Sequence, residues 1–293
     1  MPERMTELNK LFKRLLRRGR GIGIFVCLFL AALAVLLVTA LTRPAPEIRL
    51  KADPAEPAFL MARPLLVSAD QMAQLTYEDS ELGEFHWTLS SGALEELNRV
   101  LEEYGIQDPE EISQFLAQAT VESGAGQCLT EYGTDEYFQE RGYTAGTRGA
   151  GYLHLTHDYG QMAFATWMMK KYVPELADIC YVNPAHHGTG SITDAYHGAL
   201  RLAANLGLDV SRYSRIVYDE DSPVVTGADY IAENFAWESA AYYWHAAEIG
   251  ASFPVEAGVE NTDAASKLIG GSNWQSRREA YLAFYPVLSG MSQ

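Results

Sequence analysis

The 293-residue sequence predicts a mainly helical domain with one small β element, preceded by a single membrane-spanning helix. Three observations lead there. Residues 21–41 carry no charged side chain, and about 20 apolar residues are enough to cross a bilayer. Several later segments place apolar residues at helical spacing between caps. Strand-like alternation is scarce, with one run at 152–156 and a weaker one at 215–218.

Taken in order, residues 1–20 form a basic segment. Seven Lys and Arg face only Glu3 and Glu7 there. Such a flank stays in the cytoplasm and sends the following chain outward. Residues 21–42 are read as a retained anchor. The rival is a cleaved signal peptide, whose apolar core usually runs only about 7–15 residues before a small-x-small site. Thr39-Ala40-Leu41 is a poor site of that kind. Residues 43–64 carry five prolines and read as a semi-extended spacer. Residues 65–293 remain as one domain, expected on the outer face of the cell membrane.

Charge narrows the partners. The chain's net charge is −16, and the first twenty residues contribute +5, so the remainder carries −21. An acidic exterior domain is a poor nucleic-acid binder. It suits a neutral or mixed-charge polymer better. Five mid-chain histidines, His154, His157, His186, His187 and His197, raise the question of a metal. His154 and His157 would fall on opposite faces of a strand, and no His-Glu-x-x-His or Cys-x-x-Cys spacing occurs. No metal and no cofactor is expected. A Gly-x-Ser-x-Gly nucleophile elbow is also missing from the sequence. Outside the apolar span the cysteines are Cys128 and Cys180, which an oxidising compartment would allow to pair.

The domain's first clear helix runs over 93–104 and stops at Gly105. The second is the most informative. Asp108 is a candidate N-cap, Pro109 suits the first helical position, and Glu111 completes a capping box. Ile112, Phe115, Leu116 and Ala119 make the apolar stripe, and Gly124 stops the helix. Glu122 falls on that same stripe. A carboxylate there is costly to ionise, so it can keep a proton and donate it. The plainer alternative is a helix-end Glu paired with an Arg or a backbone donor. Further helices are expected over 161–172, ended by Pro174, and over 230–248 as one long aromatic helix. Ser276 and Glu279 suggest a capping box opening the last helix.

Four segments carry a family resemblance. Ala117-Gln118-Ala119-Thr120-Val121-Glu122-Ser123-Gly124 is followed nine residues after Glu122 by Glu131. Then come Thr147-Arg148-Gly149-Ala150-Gly151-Tyr152-Leu153-His154-Leu155-Thr156, Ser239-Ala240-Ala241-Tyr242-Tyr243-Trp244, and Leu268-Ile269-Gly270-Gly271 with Arg277. In order and type they resemble the family 19 glycoside hydrolases, the lysozyme-like chitinases and phage-type endolysins. The resemblance implies an α+β lysozyme-like fold with a small β element beside a catalytic groove. It also implies an inverting two-carboxylate hydrolysis of β-1,4-linked N-acetylhexosamines, in peptidoglycan or chitin. Glu122 matches the general acid and Glu131 the general base, with Glu140 as the alternative base. Thr156 matches the residue that positions the water, and Arg148 an arginine that supports the carboxylates. Tyr152, His154, Tyr159 and Ser123 are the expected sugar contacts. The sequence departs from the family pattern at Val121, Ala150, His154 and Ile269, where the family has His, Arg, Gln and Asn. Those departures point to an altered substrate, or to a domain that binds glycan without cutting it.

Overall fold

The computed structural model describes residues 65–79, 83–271 and 273–290. The basic segment, the anchor and the spacer lie outside the described residues. No helix among the described residues is long and apolar enough to cross a membrane.

The described part is a mainly helical domain with a small two-stranded antiparallel sheet. Helix α1 (Ala69–Gln74) leads into strands β1 (Thr76–Asp79) and β2 (Gly83–His86), paired from Thr76 opposite His86 to Asp79 opposite Gly83. Then come α2 (Ser91–Glu103), α3 (Pro109–Ser123), α4 (Asp135–Glu140), α5 (Asp158–Tyr172) and α6 (Thr189–Leu206). The chain continues through α7 (Ser211–Ser214), α8 (Ala228–Asn234), α9 (Ala236–Ala246), α10 (Val259–Ile269) and α11 (Trp274–Ser289).

Helix α3 is the hub. The Asp108 side chain accepts the Glu110 amide at 2.8 Å, Pro109 opens the helix, and Gly124 closes it with φ 56°. Phe115, Leu116, Ala117 and Ala119 are fully buried. The Phe115 ring meets Trp237 and Trp244 at 6.0 and 5.4 Å between centroids. Truncating a Phe packed this way to Ala costs about 3–5 kcal/mol. Helix α11 packs along α3 more extensively than any other pair of elements. Helix α9 separates two apolar cores. Trp237, Ala240, Ala241 and Trp244 face the core around α3, while Tyr242 and Ala246 face the core built on α5, α6 and α8.

Five local expectations need correction. Residues 152–156 form a tight turn instead of a strand, closed by a single bridge between Ala150 and Leu155. Gly151 starts the reversal at φ 77°, and His154 and His157 follow with φ of 49° and 70°. Extended pairing cannot continue through such residues. Residues 215–218 are hydrogen-bonded turns following α7, since the Ile216 and Val217 amides donate to the Tyr213 and Ser214 carbonyls. The long aromatic helix is broken at Phe235, which leaves helical geometry at φ −146° and buries its ring against Phe164 and Tyr230. Glu111 does not reach back to Asp108. It accepts the Trp244 indole N–H at 2.9 Å. Helix α11 begins at Trp274, so Ser276 lies inside it and is no cap.

Candidate active site

The Gly149–Gly151 segment and the loop after α3 lie side by side. The Glu131 amide donates to the Gly149 carbonyl at 2.8 Å, and the Gly151 amide to the Leu129 carbonyl at 2.9 Å. Both glycines are sterically required. A β-carbon at Gly151 would overlap the Ser239 hydroxyl of α9, and one at Gly149 would come within 2.7 Å of the His154 Cβ and 3.3 Å of the Glu131 Cβ. Three of the four resembling segments are therefore in direct backbone or side-chain contact here.

The fourth arrives from α11. Arg277, only 2 % exposed, donates to the Glu122 carboxylate and to the Gln118 side-chain oxygen. Gln118 is itself held through its amide by the Thr262 carbonyl at 3.3 Å and the Ser266 hydroxyl at 3.1 Å. The plainer alternative for Glu122, a helix-end Glu paired with an Arg, describes its contacts. Its side chain is 18 % exposed and its second oxygen lies 3.7 Å from His154 Nδ1.

Glu122 and Glu131 both line one cleft of about 430 Å³, with Thr156, Tyr159, Tyr243 and Gly270. Glu131 is tightly held. Its Oε1 accepts the Tyr137 and Tyr143 hydroxyls at 3.0 and 2.7 Å, and its Oε2 accepts Tyr143 at 2.9 Å and the Gly149 amide at 3.2 Å. Burial, followed by the hydrogen bond and charge of Glu131, pushes the Tyr143 phenol well above its ordinary range. Burial also raises the Tyr243 phenol, aided by the charge of Glu122. Burial and then Asp158 raise Tyr159. These three phenols stay neutral at physiological pH; the Tyr143 hydroxyl is spent on Glu131 and that of Tyr243 on the Leu268 carbonyl at 3.2 Å.

The remaining expected site residues divide. His154 and Thr156 line the cleft, with the Thr156 hydroxyl donating to the His154 carbonyl at 2.6 Å. Tyr159 lines it too, stacked on His157 with 5.0 Å between centroids. Four others belong elsewhere. Arg148 does not support the carboxylates, because its guanidinium is taken by Asp229 at 2.5 Å and by the Ala145 carbonyl. Tyr152 is a core residue, 5 % exposed and stacked on Trp237 at 3.5 Å. Ser123 is fully buried, donating to the Ala119 carbonyl and accepting the Gly126 amide, which secures the end of α3. Glu140 is exposed at the end of α4 and does not line the cleft. Cys128 and Cys180 are both free and exposed, with no bond between them.

Tyr137, Tyr143, His157 and Tyr243 went unpredicted. A density of tyrosines close after Glu131 was the available signal for the first two. Another depression, of about 450 Å³, is lined by Arg99, Glu103, Tyr172 and Glu238. The Glu238 carboxylate is fully engaged there by Arg99, Lys171, Tyr104 and Tyr172, so it resembles a structural clasp more than an open site. Among the described residues no three His, Cys, Asp or Glu side chains gather as a metal would require.

No protein-family model, curated protein or solved structure matches this chain.

Proposed function

We propose that the domain is a membrane-anchored, extracytoplasmic glycoside hydrolase of lysozyme-like type, acting on β-1,4 links between N-acetylhexosamines in peptidoglycan. The observation that supports this most is convergence. Four segments spread from Ala117 to Arg277 meet around a single cleft holding Glu122 and Glu131. In this reading Glu122 protonates the leaving glycosidic oxygen, and Arg277 fixes the carboxyl's direction. Glu131, oriented by Tyr137 and Tyr143, takes a proton from the water that attacks the opposite sugar face. Thr156 stands beside that water's path. Inversion requires roughly 6.5–9.5 Å between the two carboxyl groups. The polymer choice follows from the anchor: an exterior hydrolase tethered to its own membrane meets its own wall before any foreign chitin.

A second reading is a glycan-binding domain that has lost catalysis. The observation favouring it is that Glu131 already accepts from three donors, leaving little capacity to take up a proton. Zymograms of the full-length chain on peptidoglycan and on glycol chitin distinguish the readings. Clearing of peptidoglycan is expected. Clearing of chitin alone changes the substrate, and clearing of neither with retained wall binding sinks the enzyme. For the anchor, protease added to intact cells should remove the carboxy-terminal domain and spare the amino terminus. A protected carboxy terminus would reverse the topology.

A further inference from the structure

The His154 ring faces a fixed partner on one side and a catalytic candidate on the other. Its Nε2 lies 3.1 Å from the Cys128 carbonyl oxygen. A carbonyl oxygen only accepts, so Nε2 must carry a hydrogen. That leaves Nδ1 as the variable position, and Nδ1 faces Glu122 Oε2 at 3.7 Å. A bare nitrogen lone pair opposite an ionised carboxylate is repulsive. At this ion-pair distance one proton carried by either atom removes the repulsion, and the proton then belongs to the pair.

We propose that His154 is a positioning and proton-supplying residue for Glu122, refilling the acid after each turnover; this rests on the hydrolase reading above. The proton balance is simple. Glu122 gives its proton to the glycosidic oxygen as the C–O bond breaks. That leaves the pair without its shared proton, Glu122 as the carboxylate and His154 as the neutral Nε2–H imidazole. Glu131 passes the proton of the attacking water to solvent, and His154 recovers one from solvent. One water is consumed and no proton is gained or lost.

Two structural features hold His154 for this role. Its backbone sits at φ 49°, a left-handed conformation that is costly for a non-glycine residue. The turn enforces it through reciprocal Ala150–Leu155 hydrogen bonds of 3.1 and 2.8 Å. Gly149 leaves the space that the His154 Cβ needs. The surrounding charges fit as well. Glu122 comes from α3 and Glu131 from the loop after it. Arg277 from α11 offsets one carboxylate. The remaining titratable groups facing the cleft are neutral phenols, Tyr242 and Tyr243 on α9, Tyr159 on α5 and Tyr143, together with His157.

The test uses the full-length chain in detergent micelles with 15N-labelled histidine, as wild type, Glu122→Gln and His154→Gln. Nitrogen NMR of the His154 ring should show the Nε2–H form when neutral. Loss of its Nδ1 proton should occur at lower pH in Glu122→Gln than in wild type. An unchanged titration, or an Nδ1–H neutral form, overturns the pair without any reference to activity. In turnover, His154→Gln should lose roughly 10-fold or more in kcat at neutral pH, with KM little changed. The alkaline limb of its profile should move to lower pH. A wild-type pH profile in that variant overturns the supplying role even if the rate falls. Coupled titration with no glycan cleaved by the wild type would keep the pair, but it would overturn the hydrolase reading and the refilling role with it.

Discussion

Gly271 lies directly against the guanidinium of Arg277, so close that a β-carbon at Gly271 would overlap it. The glycine is therefore part of the support of Glu122, the candidate acid, because Arg277 is what grips Glu122 and Gln118. Gly271→Ala must displace a buried cation. We expect a loss of about 1–3 kcal/mol, read as a drop of several degrees in Tm, together with reduced turnover. Gly188→Ala is the control, since a β-carbon there meets nothing within 4 Å. Equal Tm values for the two variants would refute this account.

Glu122→Gln keeps the shape and a hydrogen-bond acceptor for Arg277 but removes the transferable proton. The expected result is a fall of at least ~100-fold in kcat on peptidoglycan fragments, with Tm nearly retained. Near-normal turnover would remove Glu122 from the mechanism.

Tyr143 donates to both oxygens of Glu131, whereas Tyr137 donates to one. Replacing each by Phe removes only the hydroxyl. If these phenols aim the base, Tyr143→Phe should lower kcat by about tenfold, the scale of one hydrogen bond to a charged group, and Tyr137→Phe by less. The opposite order, or no effect from either, would mean that Glu131 is not oriented in this way.

Alkaline stability follows from buried phenols. Burial raises Tyr152, Tyr181 and Tyr196 to about 12, from an ordinary value near 10. In the unfolded chain these groups ionise near pH 10, while in the fold they keep their protons until about 12. The unfolded state then binds fewer protons, so stability is full below pH ~10 and declines as pH rises from there toward ~12. Urea midpoints measured between pH 8 and 11.5 should fall only in the upper part of that range. Tyr152→Phe should flatten the decline. A midpoint falling mainly below pH 9 would assign the loss to other groups.

Helix α3 was legible because its signals are local: Asp108, Pro109 and Gly124 mark its ends within the segment itself. The segments that meet at the cleft were legible through their glycines and carboxylates. What was hidden depends on distant partners. Arg148 turns to Asp229, 81 residues away, and nothing in its own neighbourhood announces that pairing. Tyr152 alternates as a strand residue would, but its ring is claimed by Trp237. The break at Phe235 is made by the pocket between Phe164 and Tyr230, which exists only once the helices have packed. The hairpin of β1 and β2 has charged and polar residues at most positions, so it lacks the alternation that marks a half-buried strand.

The tie between α3 and α11 also sets an order of events during synthesis. Glu110, in the first turn of α3, accepts the Tyr281 hydroxyl at 2.6 Å, and Glu122, in its last turn, is held by Arg277. Both ends of the helix bearing the candidate acid thus wait for residues made 171 and 155 positions later. Until those residues are made, the carboxylate has no guanidinium to aim it, and before Ile269, Gly270 and Gly271 are made the cleft lacks the wall they form. If the domain is the hydrolase proposed above, the acid gains its aim only after α11 has been made and has packed along α3.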